Sequence, residues 1–338
     1  MAGLIEWLAD LSAEVTVVLP GPLPDTIVRR DGVQYVVLPV IGMGRNLAYE
    51  QLSIPKYLKS SAAEIYLAPA NRGVPIRGVS QRTVLVIHDL IPFVNRSGES
   101  FVTGMGLMPH RWSMSSSVRR ATQVVSVSAS AQSDLLERRG RKSTLGYPPL
   151  SYLDVYRQDA LDRESFFIFT GGLSARKNLR LTLEAFSEFR LTHPEFELRV
   201  TGDNNPKMFS EHFGVDLMHG VVLTGRLSNE ELLAMVRRCS AVVYPSQYEG
   251  KGLPIIDALA TSSPIICGTG GSQVEVAGAA GLFVDPIAKE TILAAMQSAL
   301  LLDPAKFQAL AADEFNTIDG PEWEQGLLQA LFPNRRNF

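Results

Sequence analysis

The chain of 338 residues carries 32 Lys and Arg against 35 Asp and Glu, a net charge of −3, and 46% of its residues are apolar. That length allows about two domains with a large core, and that charge gives no electrostatic reason to expect nucleic acid as a partner. The only cysteines, Cys239 and Cys267, sit in apolar surroundings without CxxC or His-rich spacing, which argues against a zinc site or a disulfide framework and fits a reduced, cytoplasmic compartment. No apolar run approaches the ~20 residues of a spanning helix, and no signal peptide is visible.

The chain opens helix-first. Gly3 to Leu11 reads as a short amphipathic helix and Glu14 to Pro20 as a strand. A nucleotide-binding α/β domain normally begins with a strand, so the expectation is an N-terminal domain without its first strand, through a truncated start or a shortened variant. Strand-like runs follow at residues 33–39, 63–68, 83–87 and 123–127 with helical or loop stretches between them, which argues for an α/β fold with a doubly wound parallel sheet. His88 and Asp89 fall at the carboxyl end of the run at 83–87, where open α/β sheets place ligands. On spacing alone His88 is more readily a structural histidine than a site residue, and Asp89 either orients it or caps the following turn.

Arg111 to Arg120 reads as a helix, and Ser128 to Ser130 caps another, Ala131 to Arg139. Arg138 and Arg139 offset the dipole of that helix and Gly140 suits the left-handed position after it. Together with Arg141 and Lys142 they read, more sharply, as a membrane-docking patch. Pro148-Pro149 opens a polar connection reaching Ser165, which marks the domain boundary. The division is residues 1–150, a linker 151–165, a second domain 166–315 and a closing helical segment 316–338.

The second domain starts with the strand Phe166 to Thr170. Gly171, Gly172, Arg176 and Lys177 then precede a helix with an apolar face of Leu179, Leu183, Phe186 and Phe189. Glycines, two cations and a helix start make an anion seat, unless the cations are simply solvated. A strand at 197–201 and a run at 221–226 lead to Arg226, and Ser228 and Glu231 have capping-box spacing. The strand Ala241 to Tyr244 runs into Tyr-Pro-Ser-Gln-Tyr-Glu-Gly-Lys-Gly-Leu-Pro-Ile-Ile-Asp-Ala-Leu-Ala, residues 244–260. Gly250 and Gly252, followed by Pro254 at a helix start, make a second anion seat. Glu249 in the loop and Asp257 in the first helical turn flank it. Carboxylates beside phosphate are better placed to accept hydrogen bonds from hydroxyls, so the ligand expected here carries both phosphate and sugar. Residues 264–267 and 268–275 give a further strand and glycine-rich turn, and 323–332 have helical spacing.

The segment from Glu249 to Asp257 resembles the E-x7-E segment of retaining nucleotide-sugar glycosyltransferases of the GT-B fold, the glycosyl transferases group 1 that include bacterial mannosyl- and glucosyltransferases of polysaccharide assembly. The resemblance covers residues 83 to about 323 and is most specific from 166 to 285. It implies two Rossmann-like domains facing across a cleft, with the closing helix packed back on the N-terminal one. It also implies that Glu249 meets the donor sugar, that Gly250, Lys251, Gly252 and Leu253 meet the diphosphate and sugar, and that Asp257 holds the ribose hydroxyls. Lys251 stands where the family usually has an aromatic residue, and Asp257 where it has Glu. The shorter acid implies a weaker grip on the ribose. His88-Asp89, followed by an apolar pair and Pro92, is similar to a mannosyltransferase segment whose His lies beside the donor sugar, which implies a catalytic role for His88. Lys177 matches a diphosphate-binding Lys. Gly172 stands where an Arg is usual, so Arg176 is expected to supply that charge. Arg226 lies in a loop resembling the base-binding one, and Glu275 matches a common family acid.

The implied reaction transfers a hexose, mannose weakly favoured, from GDP-mannose or a UDP-sugar to a hydroxyl of a saccharide or lipid-linked saccharide, by front-face substitution, in cell-surface polysaccharide such as lipopolysaccharide. The chain has no D-x-D, so no obvious carboxylate pair for a divalent ion; Lys177 and helix N-termini are left to stabilise the leaving diphosphate, with no cofactor. Peripheral contact with the inner membrane face is a further implication. Two other readings stand beside this one. The missing N-terminal loop and Gly172 favour a catalytically weak member that binds nucleotide or scaffolds a polysaccharide complex. A sugar-nucleotide 2-epimerase fits the fold but not the E-x7-D segment or the Lys177 loop.

Overall fold

In the computed structural model, which describes residues 2–11, 14–23, 29–38, 45–94, 108–148, 150, 153, 162–172, 174–202 and 205–333, the chain forms two units. One comprises Met1–Leu150 with Gly320–Phe338, the other Ser151–Asp319. Most of the connection read between Pro148 and Ser165 lies outside the described residues.

The first unit holds β1 (Val15–Leu19), β2 (Val33–Val37), β3 (Ile65–Ala68), β4 (Arg82–Ile87), β5 (Gln123–Ser126) and β6 (Thr144–Leu145), all paired in parallel. They do not make one sheet. β1 pairs only with β2, in register from Val15↔Val33 to Leu19↔Val37, while β3 to β6 form a second sheet in chain order. A helix, α1 (Ala2–Asp10), precedes β1.

The short α2 (Arg45–Ala48) and α3 (Ile54–Ser60) flank a π-helical turn, Tyr49–Ser53, and α4 (Met108–Arg120) and α5 (Ala129–Arg139) complete the layer before the domain boundary. Side chains of β4 alternate as the strand pleat requires. Leu85 and Ile87 share a cluster with Met114, Val118 and Leu135 of α4 and α5, whereas Val84 packs with Trp7 of α1 and Leu327 and Leu331 of the C-terminal helix (Pro321–Leu331). That helix rides directly on β6. A Cβ at Gly326 would overlap the carbonyl oxygen of Leu145, and Trp7 Nε1 donates to Glu324 Oε1 at 2.7 Å. The cap expected at α5 is present: Ser128 Oγ accepts from the Ala131 amide at 3.0 Å, and Gly140 is left-handed at φ 62°.

The second unit has one parallel sheet built from β7 (Phe166–Thr170), β8 (Glu197–Thr201), β9 (Val221–Gly225), β10 (Ala241–Tyr244), β11 (Ile265–Cys267) and β12 (Gly281–Phe283), in the order β12-β11-β10-β7-β8-β9. The run Phe-Phe-Ile-Phe-Thr is buried along its whole length, which is why it reads as unbroken hydrophobicity: a central parallel strand is covered on both faces. α6 (Leu179–Phe189) buries the expected Leu179, Leu183, Phe186 and Phe189, and Phe167 meets Phe189 edge-on with ring centroids 5.1 Å apart. α7 (Pro206–Phe213) follows, and α8 (Asn229–Arg238) starts in the expected capping box, Ser228 Oγ accepting from the Glu231 amide at 3.2 Å and Glu231 Oε2 from the Ser228 amide at 2.8 Å. Then come α9 (Leu253–Ala260), α10 (Gln273–Ala277), α11 (Lys289–Ala299) and α12 (Pro304–Ile318). Position 316, where the sequence reading closed this domain, falls inside α12, and the chain returns to the first unit at Gly320. Cys239 and Cys267 are buried free thiols. No helix among the described residues is long and apolar enough to cross a membrane.

Candidate functional site

In the second unit the chain turns back at β7: β8 and β9 extend the sheet from one edge, β10 to β12 from the other. Open α/β sheets bind ligands at such a switch point, outside the carboxyl ends of the strands. The loops after β7 and β10 meet there.

The first loop is shaped by Gly171, at φ 137°, where a Cβ would overlap the Lys177 stem. Lys177 ends the 3-10 turn Ala175–Lys177, and its Nζ lies 4.9 Å from the centroid of the Tyr244 ring. Burial lowers its pKa below the ordinary lysine value, Glu249 opposes that shift, and Arg176 adds to it. Among the described residues its Nζ makes no ion pair. Gly172 is left-handed at φ 63° with open space where a side chain would go.

Hydrogen bonds stitch the two loops together. Asn178 Nδ2 donates to the Pro245 carbonyl at 2.8 Å, Gln247 Nε2 to Asn178 Oδ1 at 3.2 Å, and the Gln247 amide to the Arg176 carbonyl at 3.0 Å. Arg176 Nη1 donates to Ser246 Oγ at 2.7 Å, to the Tyr248 carbonyl and to Glu249 Oε1. The hydroxyl of Tyr244 also donates to Glu249 Oε1, at 2.6 Å, and burial followed by the charge of Glu249 raises the Tyr244 pKa. Arg176, expected to meet the donor, is turned toward this carboxylate. A carboxylate only 8% exposed needs a counter-charge, and the nearby guanidinium is drawn inward to provide it instead of standing open to an anion. Glu249 Oε2 takes no hydrogen bond among the described residues. The glycine-rich turn at 268–271 backs the same loop: the Ser272 amide donates to the Glu249 carbonyl at 2.9 Å and Gln273 Nε2 to the Ser246 carbonyl at 2.7 Å.

Beyond Glu249, Gly250 is buried, and Gly252, left-handed at φ 74°, begins α9. The amides of Gly252 and Leu253 make no hydrogen bond among the described residues, as an anion seat requires. The side chain of Lys251 turns inward and is 6% exposed. Burial lowers its pKa to about 8, against the opposing charges of Glu275 and Asp319. A long apolar stem thus carries this cation into the interior. Asp257 is the fifth residue of α9, one turn later than expected, and burial raises its pKa to about 7. Its carboxylate has no hydrogen bond or ion pair among the described residues. Arg226 is exposed just past β9, at the sheet edge.

His88 lies in the first unit, at the end of β4. Its Nε2 faces the Pro69 carbonyl at 2.6 Å, and a carbonyl can only accept, so Nε2 donates there and fixes the ring's orientation. Asn71 Oδ1 accepts from the His88 amide at 2.6 Å, while Asp89 Oδ1 accepts from the Ile91 amide at 2.9 Å and so caps the turn. The structure thus brings Arg176, Lys177, Glu249 and the start of α9 together at the switch point. The supporting Tyr244, Ser246, Asn178 and Gln273 carry no spacing signal of their own in the sequence.

Residues 157–311 match the family described as Glycosyl transferases group 1. The fold is matched by WaaG, a glycosyltransferase involved in lipopolysaccharide biosynthesis, with TM-score 0.72, 16% identity and coverage of 99% of this chain and 95% of that one. Anabaena Alr3699/HepE, solved in complex with UDP and glucose, matches with TM-score 0.71 and 16% identity over 97% of this chain and 94% of that one. Residues 157–311 are thus similar to a glycosyl transferases group 1 domain, and the fold is GT-B. In sequence it is similar to the serotype-specific mannosyltransferase WbdA of Escherichia coli, 24% identical over 71% of this chain and 31% of that relative. It is also similar to the O-antigen chain mannosyltransferase B of Escherichia coli, 27% identical over 49% of this chain and 42% of the relative. The chain thus spans less than half the length of either.

Proposed function

We propose that the protein is a retaining glycosyltransferase that moves a hexose, mannose before glucose, from a nucleoside diphosphate sugar to a hydroxyl of a saccharide or lipid-linked saccharide in cell-surface polysaccharide assembly. The observation that carries this reading is the Glu249 carboxylate, held by Tyr244 and Arg176 at the switch point, near Lys177 and ahead of the amide end of α9. The two mannosyltransferase relatives favour mannose.

In this reading Lys177 and the Gly252 and Leu253 amides take the diphosphate, Glu249 the sugar hydroxyls, Asp257 the ribose and Arg226 the base. For His88 the support is the resemblance and the ring orientation that the Pro69 carbonyl fixes. The bond between the anomeric carbon and the diphosphate oxygen breaks with its electron pair staying on the diphosphate. A bond to the acceptor oxygen forms on the same face, and the acceptor's proton passes to the departing oxygen. Lys177 and the helix end offset the charge that develops there, without a metal ion. Gly172 in place of an Arg, with Arg176 turned inward, favours one second reading: a weak or inactive member that still binds nucleotide.

Incubation with GDP-mannose and UDP-sugars, with and without saccharide acceptors, tests both. Acceptor-dependent release of nucleoside diphosphate that persists in EDTA is expected. Release abolished by EDTA and restored by magnesium would refute the metal-free reading, and nucleotide binding without turnover would favour the second.

A further inference from the structure

His88 is held twice by one short loop of the first unit, the loop that follows β3. The Pro69 carbonyl accepts from the ring Nε2 at 2.6 Å, while Asn71 Oδ1 accepts from the His88 backbone amide at 2.6 Å and from the Asp89 amide at 3.4 Å. The Asn71 amide in turn donates to the Val86 carbonyl at 2.8 Å, which pins the loop to the end of β4. Among the described residues of this unit, Asn71 is the only non-glycine residue in the left-handed region, at φ 54°. Glycine takes that conformation without steric strain, so an asparagine there needs a use for its side chain.

The loop is itself seated on buried polar groups. Arg72 Nε pairs with Glu50 Oε1 at 3.0 Å, and Ser113 Oγ of α4 donates to Glu50 Oε2 at 3.1 Å. Ser117 Oγ, one helical turn further along α4, accepts from the Gly73 and Val74 amides at 3.1 and 3.2 Å. Glu50, Ser113 and Ser117 are all buried, and hydrogen bonds satisfied in such surroundings hold one arrangement against others. The loop is thus fixed at its far end by α4 and Glu50 and at its near end by the Asn71 side chain. A plain cap on β4 would need only that side chain and the two backbone amides. Here the Pro69 carbonyl, two residues earlier on the same loop, also carries the histidine ring, so releasing the Asn71 side chain frees the ring together with the amide.

We propose that Asn71 is a positioning residue that sets the ring of His88 through residues 69–71, which rests on the glycosyltransferase reading in which that ring lies beside the donor sugar. Two variants separate the side chain from the backbone. Asn71→Gly keeps the left-handed bend and its backbone bond but removes the amide, whereas Asn71→Asp keeps an acceptor oxygen in the same place. In Asn71→Gly the kcat of acceptor-dependent turnover should fall about tenfold or more with the donor KM within about twofold of wild type, and Asn71→Asp should recover most of that loss. Nucleoside diphosphate affinity, which reports the second unit, should not change in either. Proton–nitrogen spectra of the full chain labelled with nitrogen-15 histidine read the ring bond without turnover. The His88 ring N–H, identified by its loss in His88→Gln, should be visible in wild type and in Asn71→Asp and should exchange with water about tenfold or more faster in Asn71→Gly. Equal protection of the ring N–H in Asn71→Gly, or a lower melting temperature in that variant with kcat unchanged, would overturn the proposal. A ring N–H that responds as expected in a chain without turnover on any nucleotide sugar would uphold the positioning and refute the glycosyltransferase reading.

Discussion

Asp257 offers a titration that can be isolated. Burial raises its pKa to about 7, so the folded chain holds this proton more tightly than the unfolded chain. Its contribution to stability is complete below the ordinary aspartate pKa and is lost as pH rises through about 7. Ribose hydroxyls donate to a carboxylate, so ligand binding opposes protonation. Nucleoside diphosphate affinity should therefore rise between about pH 5.5 and about pH 7.5 more steeply in the wild type than in Asp257→Asn, which lacks the titrating group. Calorimetric titration across that range reads the difference, and coincident slopes would remove Asp257 from the ribose. Lys177→Ala should weaken nucleoside diphosphate binding by about 1.5–3 kcal/mol, the value of a charge-assisted hydrogen bond. An unchanged dissociation constant would count against the diphosphate assignment.

Among the elements, the C-terminal helix is the most exacting, because Gly326 brings its backbone against β6. Gly326→Ala should cost about 1–3 kcal/mol through overpacking, visible as a lower urea midpoint with nucleoside diphosphate affinity retained; no loss would mean the helix can lift without cost. Elements were legible in the sequence wherever local chemistry decides them. The apolar face of Leu179, Leu183, Phe186 and Phe189, the Ser228 and Glu231 capping box and the left-handed Gly140 all follow from short-range patterns. The pairing of β1 with β2 alone was not legible, since each run carries an ordinary strand pattern and the split depends on partners far along the chain. The candidate site divides the same way. Glu249, Lys177 and the glycines stand out by spacing. The inward turn of Arg176 and the hydroxyl of Tyr244 depend on how deeply Glu249 is buried, which only the assembled sheet decides.

Over the whole molecule, the two units keep separate hydrophobic cores, and the family match at 157–311 falls entirely within Ser151–Asp319. The residues read as meeting the diphosphate, ribose and base all belong to that second unit. The central claim is that Glu249 and Asp257 address opposite ends of one nucleotide-sugar. Titrating GDP and UDP into the full chain tests it most directly, with Glu249→Gln and Asp257→Asn measured alongside and melting temperatures recorded as a control on folding. The predicted result is that Glu249→Gln binds nucleoside diphosphate nearly as the wild type does, because that ligand lacks the sugar, while Asp257→Asn binds it about tenfold or more weakly. Equal loss in the two variants, or a fall in melting temperature without any separation between them, would contradict the division of roles and reduce both acids to caps of the loop and helix.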